Sequence, residues 1–257
     1  MEEKQRLILA VEPGQLTAAG AWELPIAHLA YRMGDGPHLF RANTPLIPTG
    51  GWMVIDDARF TQGDSPEGFC NEVLRECAAR RFTGVVCRFR GRESAVLADV
   101  TAHLAEACKS RGIGCFVTEA YGPSALDAKV IVSTAISGGS LQVRLEEATA
   151  RFGKRLALWV ERVAEDFLLP SPGGEGAPLT AEELRRRREE RGGAVFFSPE
   201  LCAHYFTYMS GDKGHFVLFD DAGSIRKKLR MAEGMGIDTA FLPYGSDADV
   251  LPELLKK

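Results

Sequence analysis

Charged residues close most of the chain's short apolar runs. Glu12, the pair Asp56 and Asp57, Arg90, Glu119, Glu161, and the pair Asp220 and Asp221 all stand just past such runs. Carboxylates gathered at one end of a set of strands can do acid–base work, one donating a proton while another activates a nucleophile. The same residues also cap helices and pair with arginines, so position alone makes none of them a catalyst. The run F-T-G-V-V-C-R-F-R at 82–90 says more. Alternation along a strand puts Val86, Arg88 and Arg90 on one face and Val85, Cys87 and Phe89 on the other. Two arginines on an inward face need anions, from the chain or from a ligand.

Strands must hold these residues, and the sequence supplies them. Apolar runs rich in Val, Ile and Phe lie at 7–11, 52–55, 85–89, 114–118, 130–134, 156–160, 195–197, 216–219 and 240–242. Continuous runs suit strands covered on both sides, as in parallel sheets. Amphipathic stretches at 65–80, 93–109, 141–150, 181–190 and 224–235 alternate with them, and Gly112 after Lys109 and Arg111 ends the second. This alternation predicts a (β/α)8 TIM barrel, one domain over 1–257, with 85–89 in the fourth strand and 240–242 in the last. An open doubly wound sheet is the alternative, although no GxGxxG follows any strand. An elaboration over about 161–222 is expected to hold 205–208 and 216–219 as a hairpin with Gly211 and Gly214 in its turn. Residues 14–49 read as a long irregular segment with one short strand near 38–41. A Gly- and Pro-rich loop at 171–178 leads into L-R-R-R-R-E-E-R at 184–191, whose interleaved charges read as a solvated helix face.

Composition narrows the function. Against 35 Asp and Glu the 257 residues carry 31 Lys and Arg, a net charge of −4, which argues against a nucleic-acid partner. No apolar run approaches the roughly 18 residues of a membrane span. The charged start is followed by too short an apolar run for a signal peptide, so the expected location is cytoplasmic and no membrane partner is expected. The six cysteines form no CxxC pair and have no histidine at ligand spacing, which predicts reduced thiols and no metal or other cofactor. Cys87 and Cys115 fall on helix-facing sides of neighbouring strands, as small core residues. His28, His38, His103, His204 and His215 show no spacing suited to a metal or a catalytic base.

The 82–90 run resembles the fourth strand of the family-18 glycoside hydrolases, D-x-x-D-x-D-x-E, in length, in Gly84 and in its apolar residues. The C-terminal part is more similar: Y-F-T-Y at 205–208, H-F-V-L-F-D-D-A-G-S-I-R-K-K-L at 215–229 and M-G-I-D-T-A-F-L-P-Y-G at 235–245. It resembles the bacterial branch that includes spore-cortex glucosaminidases. The resemblance implies the barrel fold and a carbohydrate site at the strand ends. It also implies that the motif acids are gone, because their positions hold Thr83, Val86, Arg88 and Arg90. In the family the last Glu protonates the leaving oxygen and the Asp before it orients the substrate's acetamide. A guanidinium has no proton to give near neutral pH, so Arg90 cannot act as that acid. Pro243 stands where the family has a final Trp, with Tyr244 next to it.

Three readings follow. In the first, a catalytically degenerate barrel binds a carbohydrate, an anionic small molecule or a partner through Asp56, Arg88, Arg90, Glu119, Trp159, Glu161 and Tyr244, with Trp52 as a further aromatic wall. Within it, Arg88 and Arg90 either meet a ligand or pair with Asp56 and Glu119 as a relic network. In the second, Glu119 and Glu161 are relocated carboxylates of an active hydrolase. The third is a scaffold without a small ligand. The oligomeric state stays open.

Overall fold

A computed structural model describes residues 5–44, 46–61, 66–171, 174–191 and 193–256. Its strands run, in chain order, β1 (Arg6–Val11), β2 (Ile26–Gly34), β3 (His38–Arg41), β4 (Trp52–Asp56), β5 (Gly84–Arg88), β6 (Gly114–Thr118), β7 (Lys129–Ser133) and β8 (Leu156–Trp159). They continue with β9 (Ala164–Leu169), β10 (Ala177–Pro178), β11 (Phe196–Ser198), β12 (Ala203–Ser210), β13 (Lys213–Phe219) and β14 (Thr239–Pro243). The helices are α1 (Leu16–Gly20), α2 (Pro66–Arg80), α3 (Ala95–Ser110), α4 (Leu141–Phe152), α5 (Ala181–Arg191), α6 (Ala222–Gly234), α7 (Tyr244–Asp247) and α8 (Leu251–Leu254). Ser65 in the expected first helix, and Pro172 and Gly173 in the expected loop, lie outside the described residues.

The chain divides into two compact units: residues through Val132 with Arg151–Trp159 and Ile237–Gly245, and Ser133–Ala150 with Val160–Gly236 and the residues from Ser246 on. The first contains the closed parallel barrel of the expected (β/α)8 fold. Around it the order is β1-β14-β8-β7-β6-β5-β4-β2, and a β1–β2 pairing closes the ring. The fourth barrel strand is β5 and the last is β14, as expected. Ile8, Ala10, Ala27, Val54, Val86, Phe116, Ile131, Ala157, Trp159 and Phe241 fill the interior as one core. Truncating a buried aromatic here, Phe241→Ala for example, would cost about 3–5 kcal/mol through lost burial and the cavity left behind. On the outer side α3 covers β5 and β6, α2 packs beside α3, and Ser94 caps α3 by accepting from Leu97 N.

One barrel strand escaped the sequence reading. Residues 26–34, within the segment read as irregular, form β2, the longest strand of the barrel. The sequence I-A-H-L-A-Y-R-M-G has few β-branched residues, and its register shifts between His28 and Tyr31, so its alternation is broken. Its pairing with β1 and β4 makes it a strand, not its local propensity. The short strand near 38–41 is present as β3.

The second unit holds a five-stranded antiparallel sheet, ordered β10-β9-β13-β12-β11. The expected hairpin is β12–β13. Gly211 turns it at φ +64°, a left-handed conformation that favours glycine. Gly214 does not sit in that turn; it lies within β13, opposite Met209 on one side and Leu169 on the other.

The charged helix also departs from expectation. Arg187 on α5 is not part of a solvated face, because it pairs with Asp166, a buried carboxylate on β9. Asp166 also accepts hydrogen bonds from Tyr208 Oη and from His215 Nδ1, each at 2.9 Å. A buried acid on the sheet selects one arginine from a run of four, and alternating charge in the sequence could not reveal that choice.

Candidate functional site at the C-terminal strand ends

In a parallel barrel the C-terminal strand ends share one rim, and chemistry in this fold is placed there. Val86 is buried in the barrel interior, so the alternation of β5 carries Arg88 inward as well. The Arg88 guanidinium lies 4.4 Å from the centre of the Trp159 ring, at the end of β8. Trp159 stacks on Phe241 at 5.5 Å, and Phe241 meets Phe116 edge-on at 5.1 Å. Arg88 is therefore the top layer of an aromatic column rising from the barrel core.

Arg90 lies just past the strand, with Nη2 3.9 Å from Asp56 Oδ2 and about half of its side chain exposed. Asp56 also accepts from Ala58 N at 2.7 Å. Its neighbour Asp57 is buried, and its carboxylate accepts from the backbone N–H groups of Arg90 and Gly91. A side chain at Gly91 would meet that carboxylate at 2.8 Å, so glycine lets Asp57 grip this turn. Asp57 positions the backbone that presents Arg90.

Glu12, past β1, belongs to the same field. Burial pushes its carboxyl up, with Arg88 opposing the rise and Asp56 adding to it. Glu12 is a strand-end charge in the sequence and is not among the expected site residues. Its place just past β1 is the signal for including it, because the C-terminal end of β1, next to β14, opens on the same rim.

The remaining expected residues fall in several places. Glu119 opens a short 3-10 turn after β6, and Thr118 Oγ1 at the end of β6 donates to Phe89 O, just past β5, at 2.8 Å. Tyr244 is largely buried at the end of β14. Glu161 belongs to the second unit, where it accepts from Ser133 Oγ at 3.0 Å. Trp52 is not at the rim: it begins β4, at the opposite end of the barrel. Its indole covers Gly84 and Gly114, where an added Cβ would come within 2.4 and 2.6 Å of the ring. There it closes the barrel floor beside a cavity of about 530 Å³ lined by His28, Thr49 and Thr83.

The C-terminal stretch that most resembles family 18 has a structural job. Asp221 caps α6 by accepting from Ser224 N, and Ser224 Oγ in turn accepts from Asp221 N. Asp220 is fully buried and pairs with Lys228 at 2.7 Å, while Val163 N donates to the same carboxylate oxygen at 2.9 Å. The D-D-x-x-S-I-x-x-K spacing thus places Asp220, Ser224 and Lys228 on facing turns of one helix and the strand before it.

All six cysteines are free and buried. Hydrogen bonding with neighbouring thiols, then burial, pushes Cys108 and Cys115 up, which makes them inert core groups rather than nucleophiles. Among the described residues no group of three or more His, Cys, Asp or Glu could hold a metal ion. No helix among them is long and apolar enough to cross a membrane.

No protein-family model and no curated protein sequence matches the chain. Solved structures do. The spore cortex-lytic enzyme SleL of Bacillus cereus is 15% identical at a TM-score of 0.71, over 100% of this chain and 75% of that one. A chitinase from Chromobacterium violaceum is 15% identical at 0.71, over 98% of this chain and 100% of that one. A class V chitinase from Nicotiana tobaccum, solved in complex with NAG4, is 12% identical at 0.70, over 98% and 99%. These likenesses, which cover nearly the whole chain, show the fold: a (β/α)8 barrel.

Proposed function

We propose that this barrel binds a carbohydrate at its C-terminal rim and does not hydrolyse it by the family-18 route. The observation that carries the proposal is the fourth strand. Val86 packs into the core and Arg88 lies on Trp159 where that route needs inward carboxylates, and neither side chain can pass a proton to a leaving oxygen. The rim retains an aromatic and charged lining of Glu12, Asp56, Arg88, Arg90, Trp159 and Tyr244, the kind of surface that orients a polar ring. The chitinase solved with NAG4 supports sugar as the ligand class.

Titration of the chain with NAG4, followed by mass spectrometry of the recovered sugar, tests this. Binding with intact tetramer supports the proposal. Turnover that Glu119→Gln or Glu161→Gln abolishes would replace it with a hydrolase using relocated carboxylates. Absence of any sugar binding would leave the scaffold reading.

A further inference from the structure

The floor of the barrel, at the N-terminal ends of the strands, is concave too. Arg6, Ile26, His28 and Trp52 are among the residues that line its cavity of about 530 Å³. His28 is buried, with 6% of its surface exposed. Its Nε2 lies 3.1 Å from Gly50 O, and a carbonyl oxygen only accepts, so Nε2 carries the ring proton. Burial pushes the imidazole's pKa down and keeps the ring neutral, which leaves a lone pair on Nδ1. That Nδ1 is buried with no hydrogen-bond partner. A buried acceptor left unmatched costs free energy, and native structures seldom keep one without a use.

The local backbone places this ring. The register of β2 against β4 shifts between His28 and Tyr31, and such an irregularity re-aims a side chain. Gly50 and Gly51 take left-handed φ values of +68° and +66°, and a Cβ at Gly51 would come within 2.1 Å of Ile26 O. Glycine there lets the loop close on β2 and set Gly50 O against Nε2. Phe82 packs on the imidazole at 5.7 Å between ring centres. With Nε2 held by Gly50 and the ring held by Phe82, Nδ1 is the polar atom of His28 left for a ligand.

The walls define the ligand's chemistry. Pro25, Ile26 and Trp52 offer apolar and aromatic surface that suits a ring. Arg6 brings a positive charge, and among the described residues no carboxylate lines the cavity. His28 pairs with Val11, the last residue of β1, whereas Arg6 is the first, so acceptor and cation approach from different levels.

We infer that the floor is a second binding site, for a small aromatic acid with a hydroxyl donor across the ring from its carboxylate. The hydroxyl donates to His28 Nδ1, the ring lies against Trp52, and the carboxylate meets Arg6. The site is at the opposite end of the strands from the rim and does not depend on the carbohydrate reading.

Calorimetric titration with para-hydroxybenzoate, benzoate and para-hydroxybenzamide tests this, because benzoate lacks the donor and the amide lacks the charge. Para-hydroxybenzoate should bind at least about tenfold tighter than benzoate, a difference of about 1.4 kcal/mol, and tighter than the amide. His28→Phe keeps an aromatic ring against Phe82 and should erase the first preference; Arg6→Ala should erase the second. The nitrogen NMR resonance of His28 Nδ1 should move on saturation with para-hydroxybenzoate and stay in place with benzoate, a readout that stands even if His28→Phe fails to fold. Saturating NAG4 should leave the binding unchanged. No binding of any of the three, equal affinity for para-hydroxybenzoate and benzoate, a preference that survives His28→Phe, or an unmoved Nδ1 resonance would each overturn the inference. Equal affinity for acid and amide would overturn the role of Arg6 and the acid with it. Displacement by NAG4 would put the acids at the rim and overturn the second site.

Discussion

Two charge clusters in this molecule look alike on paper and differ in construction. In the second unit, Asp220 and Lys228 are almost completely buried, and the carboxylate also takes bonds from Val163 N and Ser224 Oγ. In the barrel unit, Arg88 lies over the Trp159 ring at 4.4 Å, and Arg90, about half exposed, stands 3.9 Å from Asp56. A desolvated ion pair is retained only when every lone pair and proton finds a partner, because each unmatched charge costs several kcal/mol. A rim that must accept a ligand cannot be finished in that way. Burial thus separates the two: the Asp220–Lys228 pair is cut off from water, while Arg90 and Asp56 remain in contact with it.

The largest expected effect tests the first half of that contrast. Lys228→Ala strands a buried carboxylate and should cost about 3–5 kcal/mol in urea unfolding. A loss below about 1 kcal/mol would mean that the pair is not the anchor it resembles. The D-D-x-x-S-I-x-x-K stretch carries the strongest sequence resemblance to glycoside hydrolases, yet its geometry gives it this structural role.

A second test uses pH. Asp247 is fully buried in the second unit; one carboxyl oxygen accepts from Ser246 Oγ and the other has no partner. Burial pushes its carboxyl up to about 7, with Ser246 and Arg162 opposing and Asp220 and Asp249 adding. Its folded value lies above its unfolded one, so the stabilisation is complete below about pH 4 and is lost as pH rises through about 7. Asp247→Asn should therefore gain more stability at pH 8 than at pH 5, by on the order of 1–3 kcal/mol. Equal gains at both pH values would place the orphan oxygen in contact with water.

The smallest expected effect belongs to the rim. Arg90→Ala removes a half-exposed contact and should change stability by about 0–1 kcal/mol. If thermal unfolding shows a loss comparable with Lys228→Ala, the arginines are a relic network and the two clusters are the same kind of object.

How far the sequence foretold this depends on how local each determinant is. Seven of the eight barrel strands follow from continuous apolar runs, and the inward path of Arg88 follows from alternation alone. The eighth, β2, is a strand because of its neighbours, so no window of its own residues discloses it. The place of Trp52 is legible in the run itself: it opens that run, and the first residue of a barrel strand belongs to the floor. The partners of Arg187 and Asp220 were hidden for another reason, since a sequence shows charges but not which of them lose their water.

The central claim is that the rim holds a sugar without cutting it, and a crystal of the protein soaked with NAG4 tests place and fate together. An intact tetramer is expected over Trp159 and Tyr244, within reach of Arg88 and Arg90. Shortened sugar in the density, or a tetramer bound only away from the strand ends, would contradict it.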